Sequence, residues 1–97
     1  MGYASWVTQS QAVLYGKAAI RSIVITSASS GPAYVKFYEG RDNAGRILLE
    51  CRVPANEVYQ LDFQDGIPVQ DGLYVELVSN VTGVLVLWEH LAEEVIG

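Results

Sequence analysis

The stretch Phe37 to Phe63, FYEGRDNAGRILLECRVPANEVYQLDF, decides the fold. Its left end closes a run from Ala33 to Glu39 in which Val35 and Phe37 alternate with Tyr34, Lys36 and Tyr38, the period of two that a β-strand requires. Gly40-Arg41-Asp42-Asn43-Ala44-Gly45 then reverses the chain. The run Arg46 to Val53 sets Ile47, Leu49, Cys51 and Val53 on one side and Leu48, Glu50 and Arg52 on the other. Pro54 cannot donate to a ladder, so Pro54-Ala55-Asn56 breaks the run before Glu57 to Phe63 resumes it, with Tyr59, Leu61 and Phe63 opposite Val58, Gln60 and Asp62.

The same reading extends outward. Ala19 to Thr26 is dense in β-branched residues and is stopped by Ser27 to Pro32. Gln64-Asp65-Gly66 and Gln70-Asp71-Gly72 read as two reversals around a short edge strand, Ile67 to Val69. Gly72 to Val78 places Leu73, Val75 and Leu77 inward, and Val84 to Glu89 sets Val84, Val86 and Trp88 against Leu85, Leu87 and Glu89. A weaker strand spans Ala12 to Tyr15. The ends, about residues 1–10 and 91–97, carry no pattern beyond a single helical turn that His90 to Val95 could form. The expectation is an all-β chain: one antiparallel β-sandwich domain over residues 1–97, of about seven to eight strands, jelly-roll-like or immunoglobulin-like.

Composition narrows the function. At 97 residues and 51% hydrophobic content the chain can close one core and will not stay disordered. The net charge is −5, and the basic residues Lys17, Arg21, Lys36, Arg41, Arg46 and Arg52 are scattered, which disfavours nucleic acid and anionic membrane as partners. The longest apolar run, Val84 to Trp88, is far short of the roughly 20 residues that span a bilayer. The N-terminus lacks the features of a signal peptide, and Cys51, the only cysteine, has no intrachain disulfide partner.

Reactive groups are sparse. His90 is the one histidine and lies at a strand end. Cys51 alternates with apolar residues, as a buried inert thiol would. Asp62, Asp65 and Asp71 could offer oxygens to a cation but do not follow a calcium-loop spacing, and two of them precede glycines in turns. Asn80-Val81-Thr82 has the form of a glycosylation sequon and reads more economically as a turn. No cofactor, metal or catalytic residue is expected, and the chain is read as non-enzymatic. What stands out is apolar surface on faces read as outward: Tyr34, Tyr38, Leu48, Tyr74, Leu85 and Leu87, joined by terminal anchors Trp6, Leu91, Val95 and Ile96. These ten are the candidate interface.

Five elements of the sequence, Phe37 to Gly45, Pro54-Ala55-Asn56, Leu61-Asp62-Phe63, Asp71 to Val75 and Val86 to Glu89, resemble small structural proteins of tailed-bacteriophage and prophage virions. The resemblance covers roughly Ile20 to Glu89 and implies a β-sandwich located in the virion: a capsid decoration or cement protein, or a head-tail or tail component. The expected partners are copies of itself, as a trimer, and other virion proteins such as the major capsid protein. The rival expectation is a carbohydrate- or ligand-binding module using Tyr34, Tyr38 and Tyr74.

Overall fold

The computed structural model describes residues 2–91. Eight strands follow one another: β1 (Gly2–Val7), β2 (Gln11–Leu14), β3 (Ala18–Ser27), β4 (Ala33–Glu39), β5 (Arg46–Val53), β6 (Val58–Val69), β7 (Leu73–Ser79) and β8 (Val81–His90). They form two antiparallel four-stranded sheets, ordered β1-β8-β3-β6 and β2-β7-β4-β5, and the described residues contain no helix. Four of the pairings, β1 with β8, β2 with β7, β3 with β6 and β4 with β5, are those of a single long hairpin whose tip is the Gly40–Gly45 turn. The remaining pairings, β3 with β8 and β4 with β7, roll that ribbon into two sheets. This is the jelly-roll order, which decides between the two sandwich topologies the sequence leaves open.

The core between the sheets draws on every strand: Val7, Leu14, Ile20, Ile23, Ile25, Val35, Phe37, Val53, Val69, Leu73, Val75, Val84, Val86 and Trp88 are buried. Ser27 fastens the point where the chain crosses from one sheet to the other. Its hydroxyl donates to the Pro54 carbonyl at 2.6 Å and accepts the Glu57 N–H at 3.0 Å. Asn80 makes the β7–β8 reversal with φ 54°, a conformation asparagine tolerates; its side chain donates to the Pro32 carbonyl and accepts from the Ser30 hydroxyl. The sequon asparagine is therefore a working part of a turn.

The structure departs from the sequence reading at three places. First, residues 2–7 form a regular strand. GYASWV shows no recognisable alternation because its inner face includes Ser5, which accepts the Trp88 indole N–H at 3.2 Å, while Trp6 points outward. Second, β6 runs unbroken through Asp65-Gly66: Ser22 pairs with Asp62 and Ile20 with Ile67, so the extra residues bulge from the strand instead of reversing it, with Gly66 at φ 75°. Third, parity fails in β5. Phe37 pairs with Leu49 and Tyr38 with Ile47, leaving Leu48 as the extra residue. Leu48 and Leu49 both pack on the core, and Ile47, expected inside, is 45% exposed. Tyr59, opposite the buried Ile25, lies at the margin of the inner face of the edge strand β6 and is 42% exposed.

Candidate functional site

The ten candidate interface residues do not share one surface. Across an antiparallel pair, directly opposed residues lie on the same face. Trp6 opposes Leu85, Ala4 opposes Leu87, and Leu85 in turn opposes Val24. Val84, Val86 and Trp88 point into the core, so this series must point out. It makes an apolar band across three strands of the first sheet. Trp6 is 54% exposed and its ring lies over Gly83, where any side chain would collide with it. Leu85, Leu87 and Val24 are half-buried, so the sheet surface supports them without covering them.

Polar groups bound the band. Ser22, opposite Leu87, donates its hydroxyl to Asp62 Oδ1 at 2.6 Å, and Gln60 donates to the same carboxylate. These two hydrogen bonds, Ser22 foremost, hold the Asp62 carboxyl below its ordinary pKa. At the far end Arg21 faces Glu89 at 3.7 Å. The sign of the Asp62 effect sets a pH dependence. Because the folded-state pKa is the lower one, its contribution to stability is present above the ordinary aspartate value of about 4 and is lost as pH falls through the depressed value. Asp62→Asn should therefore flatten the fall in urea midpoint between pH 6 and pH 2.5, and parallel acid profiles for the two proteins would refute the assignment.

The tyrosines occupy the outer face of the opposite sheet. Tyr34, Lys36 and Tyr38 of β4 oppose Arg52, Glu50 and Ile47 of β5, and Tyr38 opposes Tyr74 of β7. The phenol of Tyr34 donates to Glu50 Oε1 at 2.5 Å and that of Tyr38 to Glu76 Oε1 at 3.0 Å. Burial, then the Glu76 hydrogen bond, raises the Tyr38 pKa, and Tyr34, Tyr38, Glu50 and Glu76 together keep Lys36 above the ordinary lysine value. Tyr38 is only 9% exposed. Both hydroxyls are thus engaged within the sheet, which leaves this face a knitted aromatic and charged surface.

The other singled-out residues separate. Leu48 turns inward at its bulge, and Leu91 is exposed just past β8, its N–H bonded to the Lys17 carbonyl. Val95 and Ile96, and most of the helical turn read over His90 to Val95, lie outside the described residues; His90 itself ends β8, edge-on to Trp88 at 4.9 Å. Burial raises the Cys51 thiol pKa, the opposite of activation. Among the described residues no three His, Cys, Asp or Glu side chains converge as a metal site. Sequence reasoning missed Val24, whose parity with Ser22 and Thr26 marks it as outward inside a run dense enough to read as wholly core. Set against protein families, curated proteins and solved structures, the chain matches none of them.

Proposed function

We propose that the chain is a non-enzymatic structural protein of a tailed-bacteriophage virion, a capsid decoration or cement protein that self-associates and docks on the major capsid lattice. The observation that carries this reading is the outward apolar band of Trp6, Leu85, Leu87 and Val24 across three paired strands, an arrangement suited to contact rather than chemistry. The resemblance of the Phe37–Glu89 elements to small virion proteins supports it. So does the jelly-roll order, which recurs in viral capsid domains, although a fold by itself does not assign a function. Avidity over many copies makes modest contacts sufficient. A head-tail or tail component would use the same surface at far lower copy number.

Quantitative mass spectrometry of purified particles tests the reading. The native chain should be present in fixed proportion to the major capsid protein. Trp6→Ala removes the most exposed anchor, and truncating an interface tryptophan costs about 2 kcal/mol or more, roughly 30-fold in affinity per contact. Its occupancy should fall while its circular dichroism stays that of the native chain. Absence of the native chain from particles would overturn the proposal, and full occupancy by the variant would overturn the choice of face.

A further inference from the structure

We propose that the free edge of β5 pairs antiparallel with β5 of a second copy of this chain about a two-fold axis at Cys51, extending β2-β7-β4-β5 into an eight-stranded sheet. Among the described residues β5 bonds only to β4, so its outer edge presents a row of backbone groups unpaired by any of them. The usable part of that edge has defined limits. Its register with β4 is regular from Leu49 to Val53; the Leu48 bulge bounds it on one side and Pro54, with no N–H, on the other. The centre of this five-residue stretch is Cys51.

Rotation about that centre makes the edge its own complement. Leu49 meets Val53 of the second copy, Glu50 meets Arg52, and Cys51 meets itself. The charges are left ready for this. Arg52 stacks its guanidinium 4.2 Å over the Tyr34 ring and has no carboxylate within ion-pair distance among the described residues. Glu50 uses Oε1 for both Tyr34 and Lys36, while Oε2 has no partner there. An unpaired cation and a half-used carboxylate two positions apart match each other twice over in antiparallel pairing about the residue between them.

The other edges lack this property. β1 carries no charge to complement itself, β2 is four residues long, and β6 is interrupted by its bulge and Pro68. The contact lies on the sheet opposite the Trp6 band and does not rest on the function proposed for that band. Because it is isologous, it builds a dimer; a ring of three needs a different, head-to-tail contact.

Light scattering and sedimentation over a concentration series, on the native chain, Glu50→Arg, Arg52→Glu and the double exchange, test the proposal. The native chain should be a dimer. Each single reversal sets two like-charged pairs opposite one another and should raise the dissociation constant about tenfold or more, whereas the double exchange should return it to within about threefold. Circular dichroism and thermal unfolding show that each variant is folded. Directly opposed Cα atoms in an antiparallel pair stand about 4.5–5.5 Å apart, inside the span of a disulfide. Diamide, taking two electrons and two protons from the two thiols, should therefore link native dimers covalently and leave Cys51→Ser unlinked. A native monomer, a trimer, a double exchange no better than the single ones, or native dimers that diamide does not link would each overturn the two-fold pairing. A monomer that still loads onto particles would do so while leaving the virion reading intact.

Discussion

Phe37→Ala should cost about 4 kcal/mol of folding stability, the largest effect of any single core truncation in this chain. Phe37 sits on β4, an interior strand of its sheet, paired with Leu49 on one side and Val75 on the other. It is 1% exposed and the bulkiest of the fully buried side chains. Much of what surrounds the core space is β-branched: Val35, Val53, Val75, Ile23 and Ile25 are stiff at χ1 and cannot swing in to fill the void. The lost transfer energy and the cavity therefore add. A domain of this size has roughly 5–15 kcal/mol in total, so the variant would sit near the edge of folding. With a urea m-value of about 1 kcal/mol/M, the midpoint should fall by more than roughly 3 M. Phe37→Leu, which keeps most of the volume, should lose less than about 1.5 kcal/mol. A loss below about 1.5 kcal/mol for Phe37→Ala itself would show that the two sheets can close over the gap and that Phe37 is not their keystone.

Gly72→Ala should be nearly as damaging, for a backbone reason. Gly72 has φ 102° at the entry to β7, and a Cβ there would come within 2.5 Å of the Leu14 carbonyl oxygen and 3.3 Å of the Tyr15 Cα. Its own carbonyl accepts the Gly40 N–H at 3.1 Å, which ties the end of β4 to the start of β7. Neither obstacle is a side-chain tip that could swing away. The left-handed strain of about 1–2 kcal/mol and the forced separation of β2 from β7 should together reach roughly 3 kcal/mol, lowering the melting temperature by more than about 10 °C. Gly16→Ala is the control: φ is positive there too, at 82°, but none of the described residues lies within 4 Å of the added Cβ, so only the strain should appear. Equal losses at both positions would remove the collision from the account.

Asp71-Gly72 and Asp65-Gly66 show where local sequence stops being informative. Both are the same dipeptide after glutamine, and both read as reversals. Only the first is one. At Gly66 the φ of 75° is absorbed by a bulge, because β6 stays paired to β3 on both sides of it, and the ladder outweighs the local turn preference. Leu48 teaches the same lesson in β5. Alternation placed it outward with Glu50 and Arg52, yet one extra residue opposite Phe37 and Tyr38 carries it to the core and Ile47 to the surface. A period of two has no memory of a bulge, so every assignment beyond it inverts.

Alternation and turn chemistry by themselves determined that this chain is all-β, where most of its strands lie, and that Val35, Phe37, Val75, Val84 and Val86 face a common core. Those are properties of neighbouring residues, and neighbours are what a sequence records. The jelly-roll order, the inclusion of residues 2–7 as a strand, and the parting of the candidate surface into a Trp6–Leu85–Leu87 band and a Tyr34–Tyr38–Tyr74 face came only with the tertiary structure. They depend on which strand lies beside which, and that choice is made by burial and backbone pairing between segments as distant as Gly2 and Glu89, too far apart in the chain for any local pattern to connect.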